Sequence, residues 1–162
     1  MQHSEQPSTV SLRSSRTKQL STIAVALAAV GLADASYLAA KYISGTVVPC
    51  GIGQGCDVVT RSAYAEIAGI PIALIGACWY LVLIIGWFVA REWENRVWTI
   101  LMACSSFLGA AASVYLVYLM LVVIQAVCTY CMLSAFIQFS MLGIGIATLY
   151  AVHHSSRSSV HK

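Results

Sequence analysis

The stretch Ile124-Gln125-Ala126-Val127-Cys128-Thr129-Tyr130-Cys131-Met132-Leu133 lies inside the longest uncharged run of the chain, with no Asp, Glu, Lys or Arg between Arg96 and Arg157. Such a run calls for an apolar solvent. At about 20 residues per crossing it holds two bilayer spans, Val97 to about Ile124 and about Thr129 to Val152. Only Gln125, Ala126 and Val127 separate the first of these from the Cys-x-x-Cys pair. Two cysteines at that spacing meet across one helical turn and can cycle between dithiol and disulfide. Where the motif opens a helix, free N–H groups and the dipole favour thiolate at the first cysteine, Cys128. An exchangeable pair in an apolar run requires an electron donor and an electron acceptor.

Composition agrees with a membrane setting. The 162-residue chain is 59% hydrophobic and 9% charged, against about a quarter charged in a soluble domain. The expected class is an all-α integral membrane protein. A net charge of +3 with scattered basic residues leaves no footprint for nucleic acid.

Working outward, residues 1–19 are polar and aperiodic and are expected to form a disordered cytoplasmic tail. Leu20 to about Ile43 forms a first span. Ala33-Asp34-Ala35 could mimic a signal-peptidase site, but the apolar pattern continues to Tyr42, which suits a retained helix. Pro71 to Ala90 forms another span, closed by the charged turn Arg91–Arg96. Together these predict a four-transmembrane-helix bundle over 20–152, with a second tail over 153–162. Ser105, Gly109 and Ser113, and more weakly Gly143 and Ala147, offer small-residue faces for helix packing. Cys78 and Cys104 read as packing residues. Tyr115, Tyr118 and Phe136 could line a pocket, although aromatics in a bundle more often pack.

The loop over 44–70 is the only sizeable segment between spans. Its first half, through Cys50 and Cys56, is rich in glycine, which lets the two cysteines move. Its second half starts at Asp57, a good N-cap, and sets Val59, Ala63 and Ile67 at helical spacing. This predicts a short amphipathic half-helix at the membrane surface. With the N-terminus inside, the cytoplasmic segments carry Arg13, Arg16, Lys18, Arg91, Arg96, Arg157 and Lys162, and the opposite side carries only Lys41 and Arg61. The positive-inside rule then sets the Cys50/Cys56 loop and the Cys-x-x-Cys on one extracytoplasmic face, where disulfides persist. The N- and C-termini are cytoplasmic, and a bacterial inner membrane fits best.

Cys50, then Cys56-Asp57-Val58-Val59 with Ser62 six residues after the cysteine, Tyr64-Ala65, Gly69-Ile70-Pro71, and Cys128-Thr129-Tyr130-Cys131 with Ser134-Ala135 together resemble the vitamin K epoxide reductase family, over about residues 20–150. Disulfide bond formation protein B performs similar chemistry with the cysteine pairs in the opposite order. The resemblance implies a bundle around a quinone, ubiquinone or menaquinone, with catalytic Cys128, Cys131, Cys50 and Cys56. Cys131 is then the quinone-side cysteine, Cys128 the relay, and Cys50/Cys56 the shuttle. The chain stops soon after the last span, so the implied thiol donor is a separate thioredoxin-like extracytoplasmic protein. Vertebrate members carry a tyrosine where Ala135 stands. That leans away from epoxide reduction and towards a quinone-linked thiol oxidase supporting disulfide formation.

Bland alternatives stand beside each residue. The four cysteines could be structural disulfides in a non-catalytic membrane protein, or the enzyme could be a vitamin K quinone or epoxide reductase driven by a thiol partner. No metal is expected, because five residues separate Cys50 from Cys56 where zinc sites use two to four. Ser62 is a candidate quinone contact, or a serine bonded to its own backbone. Asp34, an intramembrane carboxyl, is a candidate for quinone binding or proton relay, or a residue close enough to the outer half to be hydrated or bonded to a serine.

Overall fold

The computed structural model describes residues 9–50, 55–93 and 96–158. Helix α1 spans Thr9–Ile43, a short α2 Gly55–Thr60, α3 Ile72–Trp93, α4 Arg96–Tyr118 and α5 Thr129–Ser158, with strands β1 (Glu66–Ile67) and β2 (Ile70–Pro71) before α3. Among the described residues four segments are long and apolar enough to cross a membrane: Thr17–Ile43, Ile72–Trp93, Val97–Ile124 and Thr129–Ala151. The protein is therefore an all-α membrane bundle.

Two boundaries differ from expectation. Helix α1 already runs from Thr9, so the backbone over 9–19 is helical rather than a disordered tail, and residues 1–8 lie outside the described residues. Helix α5 likewise continues past Val152 to Ser158, leaving only 159–162 of the expected second tail outside the described residues. Once a long apolar helix is nucleated, adding a residue at its end is easy.

The four long helices close into a ring, α1 packing on α3 and α5, and α4 on α3 and α5. Small residues let α1 approach its neighbours. Ala24, Ala28, Gly31, Ala35 and Ala39 recur every three or four positions and are all buried, forming one narrow stripe. At Gly31 the ring of Tyr80 occupies the space a Cβ would need. On α4 the buried small residues are Ala103, Ser106, Gly109 and Ala110, beside the larger Thr99 and Met102, so the expected small face is correct at Gly109 and rotated elsewhere. On α5, Gly145 packs against Ala103 while Gly143 faces open space. Large apolar residues such as Leu81, Ile85, Phe88, Phe107 and Phe136 point outward, as a lipid solvent allows.

The connecting loop is built from tight turns. Helix α1 ends in a Schellman motif: Gly45 has φ +64°, its N–H donates to Tyr42 O at 3.1 Å, and the Thr46 N–H to Lys41 O at 3.2 Å. The expected half-helix is only six residues long. Thr60 Oγ1 donates to Cys56 O at 2.8 Å and Ser62 Oγ to Val59 O at 2.8 Å, and these side-chain bonds compete with continuation of the helix. Ile67, expected on a helical face, instead pairs with Ile70 in a two-residue hairpin. Ala68 (φ 53°) and Gly69 (φ 79°) make its turn, the left-handed pair such hairpins demand.

Two polar clasps fix this loop to the bundle. Arg61 pairs with Asp57 at 2.8 Å and donates to Gly45 O at 2.8 Å. The Tyr42 hydroxyl donates to Glu66 at 2.6 Å.

Candidate functional site

The link between α4 and α5 makes the site. Helix α4 widens into a π-helical turn over Leu119–Ile124, and Gln125 then turns left-handed at φ 54°. The N–H groups of Gln125 and Ala126 both donate to Met120 O, so the last turn closes on itself and the chain reverses within a few residues. Single π turns of this kind frequently occur at functional sites. The reversal sets the Cys128 N–H on the Met120 thioether at 3.3 Å.

Cys128 caps α5. Its carbonyl accepts from Met132 N at 3.0 Å, and its sulfur accepts from the Cys131 N–H at 3.4 Å. Cys128 lies just outside the membrane-length segment and is completely buried. Its thiol is nevertheless pulled down to about 7, first by the hydrogen bond from Cys131, with the N–H groups of Cys131 and Tyr130 adding and burial opposing. A thiolate at a helix start with donors aimed at it is a competent nucleophile.

Cys50 and Cys56 form a disulfide with Cα atoms 5.6 Å apart, while Cys128 and Cys131 are free thiols. All four belong to one apolar cluster, in which Cys56 and Cys128 are fully buried and Leu38, Val48 and Met120 complete the packing. Gly55, the first residue of α2, lies so close to the Val127 carbonyl that a Cβ there would collide with it. This contact seats the loop pair beside Cys128. The glycine-rich stretch 51–54, expected to give the loop pair its mobility, lies outside the described residues. Cys78 and Cys104, expected as packing residues, face outward and join neither pair.

Cys131 looks the other way, into a cavity of about 500 Å³ lined by all four long helices and the loop. One face of α5 supplies Cys131, Ser134, Ala135 and Gln138 to its wall, at the spacing of a helical stripe. Across from them, α1 supplies Asp34 and α3 supplies Trp79 and Tyr80.

Asp34 is 8% exposed, deep rather than hydrated at the surface; its carboxyl engages the Ser134 hydroxyl, and its Oδ2 has no partner. The Tyr80 hydroxyl donates to Ser134 O at 3.0 Å and lies 3.0 Å from Ser134 Oγ. Ser62 also lines the cavity, but its hydroxyl is spent on Val59 O, the local bond weighed for it from sequence. Tyr115 reaches the cavity wall, whereas Tyr118 and Phe136 are largely exposed on the outer face.

Trp79, Tyr80 and Gln138 escape a reading of the sequence. Gln138 carried a signal, being a polar residue inside the uncharged run. The two aromatics carried none, since their inward direction depends on the glycines facing them.

The arrangement suits a flat, mostly apolar molecule with a few polar atoms, such as a quinone head group. Among the described residues no three His, Cys, Asp or Glu side chains gather where a metal ion could be held. The profile of the vitamin K epoxide reductase family matches residues 22–146, a range that takes in both cysteine pairs, the loop and the cavity wall. The chain therefore belongs to the vitamin K epoxide reductase family of membrane oxidoreductases.

Proposed function

We propose that the protein is a membrane thiol:quinone oxidoreductase that reoxidises a thioredoxin-like partner and reduces a membrane quinone, ubiquinone or menaquinone, sustaining disulfide formation. The reading rests on one observation above all: the four cysteines share a cluster, with Cys131 alone opening on the cavity. A reduced partner dithiol attacks the Cys50–Cys56 disulfide, leaving the partner oxidised and the loop pair reduced. The loop dithiol next reduces a Cys128–Cys131 disulfide through a mixed disulfide at Cys128. The inner dithiol then delivers two electrons and two protons to the quinone, so the net change is partner dithiol plus quinone to partner disulfide plus quinol.

The chain's own residues set the order of these steps. Burial of Cys128 beneath the loop admits Cys56 or Cys50 and excludes bulky thiols, while the apolar wall around Cys131 excludes water. Orientation follows the charge bias, with both termini cytoplasmic and the loop facing an oxidising compartment, as in a bacterial inner membrane.

The test is purified protein with a reduced thioredoxin-like protein and a soluble ubiquinone analogue, following quinone absorbance. Cys131→Ala is expected to abolish quinone reduction, and Cys50→Ala to abolish only the part driven by the protein partner. Quinone reduction that survives Cys131→Ala overturns the reading.

A further inference from the structure

Among the described residues, two that line the cavity each carry a buried polar atom without a hydrogen-bond partner: Asp34 at Oδ2 and Trp79 at its indole Nε1. A third, Trp87 Nε1, is sealed in the bundle core away from the cavity. Buried polar groups are almost always paired. Both residues line one cavity, so a molecule bound there is the available source of the missing partners.

Their placement is informative. Asp34 sits at the level of Ser134, whose hydroxyl it engages. Trp79 Nε1 sits at the level of Gln138: a Cβ on Gly109 would meet the Gln138 amide and, at 2.9 Å, the indole nitrogen. Ser134 and Gln138 are four residues apart on α5, so the two levels differ by roughly one turn, about 5.4 Å of pitch. Asp34 and Trp79 thus sit at different heights of the cavity, as contacts to opposite ends of one ring require. One orphan can accept or, when protonated, donate; the other only donates.

Resting on the thiol:quinone reading, we propose that Asp34 and Trp79 bind the opposite oxygens of the quinone, Asp34 passing a proton to one and the Trp79 indole donating a hydrogen bond to the other. The balance closes as follows. The S–H bonds of Cys128 and Cys131 break, one S–S bond forms, and two electrons move to the ring. The proton that Asp34 gives to its oxygen is replaced from Cys131 through the Ser134 hydroxyl, one turn along the same helix face. The Cys128 proton, lost when its thiolate forms, passes to solvent through the loop pair during disulfide exchange, and the second oxygen takes one from solvent as the quinol leaves the cavity. Tyr80 is a positioning residue: bonded to Ser134 and admitted by Gly31, it holds Ser134 towards Asp34.

The full chain in lipid nanodiscs, titrated with decylubiquinone carrying a ¹³C label at either carbonyl, separates the two contacts by infrared difference spectroscopy. Wild type is expected to shift both carbonyl bands. Asp34→Ala should return one band to its free position, Trp79→Phe the other, and each should weaken binding about tenfold. Asp34→Asn, nearly isosteric, keeps a hydrogen-bond donor but has no proton to give, so it tests the proton transfer even should the alanine variant unfold. It should also slow electron transfer from the inner dithiol to the quinone by about a hundredfold, the scale of a lost general acid, with reduction of the Cys50–Cys56 disulfide by the partner at the wild-type rate. Bands that do not move in Asp34→Ala and Trp79→Phe, or Asp34→Asn reacting at the wild-type rate, overturn the assignment alone. Wild-type protein that fails to bind decylubiquinone overturns the quinone reading itself and this assignment with it.

Discussion

Cys128 has no solvent contact, yet its thiol sits near neutrality because Cys131 and two backbone N–H groups donate towards it. The sign of the pH dependence follows. The nucleophile is the thiolate, so its fraction rises as pH climbs through about 7 and falls about tenfold for each unit below. Ultraviolet thiolate absorbance of the form with the loop disulfide closed should show this midpoint. In Cys131→Ala the largest favourable contribution is removed, and the midpoint should rise towards the ordinary cysteine value of about 8.5. A midpoint that stays near 7 in that variant would assign the effect to the helix start instead. At this scale the sequence was most legible where chemistry is rare. A Cys-x-x-Cys in an uncharged run and a lone intramembrane carboxyl stand out by type. Trp79 and Tyr80 do not, because they are two of many aromatics and only the shape opposite them, at Gly109 and Gly31, decides that they face inward.

At the scale of elements, the loop is seated by its contact with the α4–α5 link rather than by a long regular helix of its own. Periodicity in Val59, Ala63 and Ile67 suggested a longer half-helix, but such spacing is also met by chance over a dozen residues. The hydroxyl bonds of Thr60 and Ser62 and the Ala68-Gly69 turn decided otherwise. The π-helical turn over Leu119–Ile124 was equally hidden, since Leu, Met, Val and Ile fit an α-helix just as well. What the turn achieves is position: it sets Met120 under Cys128 and Val127 against Gly55. Gly55→Ala should push α2 off the Val127 carbonyl, which as backbone cannot step aside. Stopped-flow measurement should find exchange between the loop dithiol and the Cys128–Cys131 disulfide slowed by about tenfold, the equivalent of about 1.4 kcal/mol. Quinone reduction started by a small dithiol that reaches the inner pair directly should keep its rate. Unchanged exchange would mean that the loop pair reaches Cys128 without docking α2 in this pose.

Across the whole molecule, the bundle is organised inside out relative to a soluble protein. Alanine and glycine form the seam of α1, while the large apolar side chains of α3, α4 and α5 point to the surface. Lipid is as apolar as leucine, so close backbone approach rather than hydrophobic burial holds the helices together. This is why the four spans could be read from the sequence while their mutual rotation could not. Hydropathy reports length, and the direction of each helix face is set by where small residues meet. Charge adds the remaining coordinate. Lys41 and Arg61 are the basic residues on the loop side of the described bundle, and Arg61 is already paired with Asp57, whereas Arg91 closes α3 at the opposite end. In the orientation proposed from the positive-inside rule, the cysteine cluster lies on the outer face, open to a reduced partner and away from cytoplasmic reductants. Single substitutions at two exposed positions test this in a background whose function is retained. Thr46→Cys should react with a membrane-impermeant maleimide added to intact cells, and Glu92→Cys only after the membrane is permeabilised. The reverse pattern would turn the loop pair towards a reducing compartment, and a role in sustaining disulfide formation would then have to be abandoned even if quinone reduction in vitro were intact.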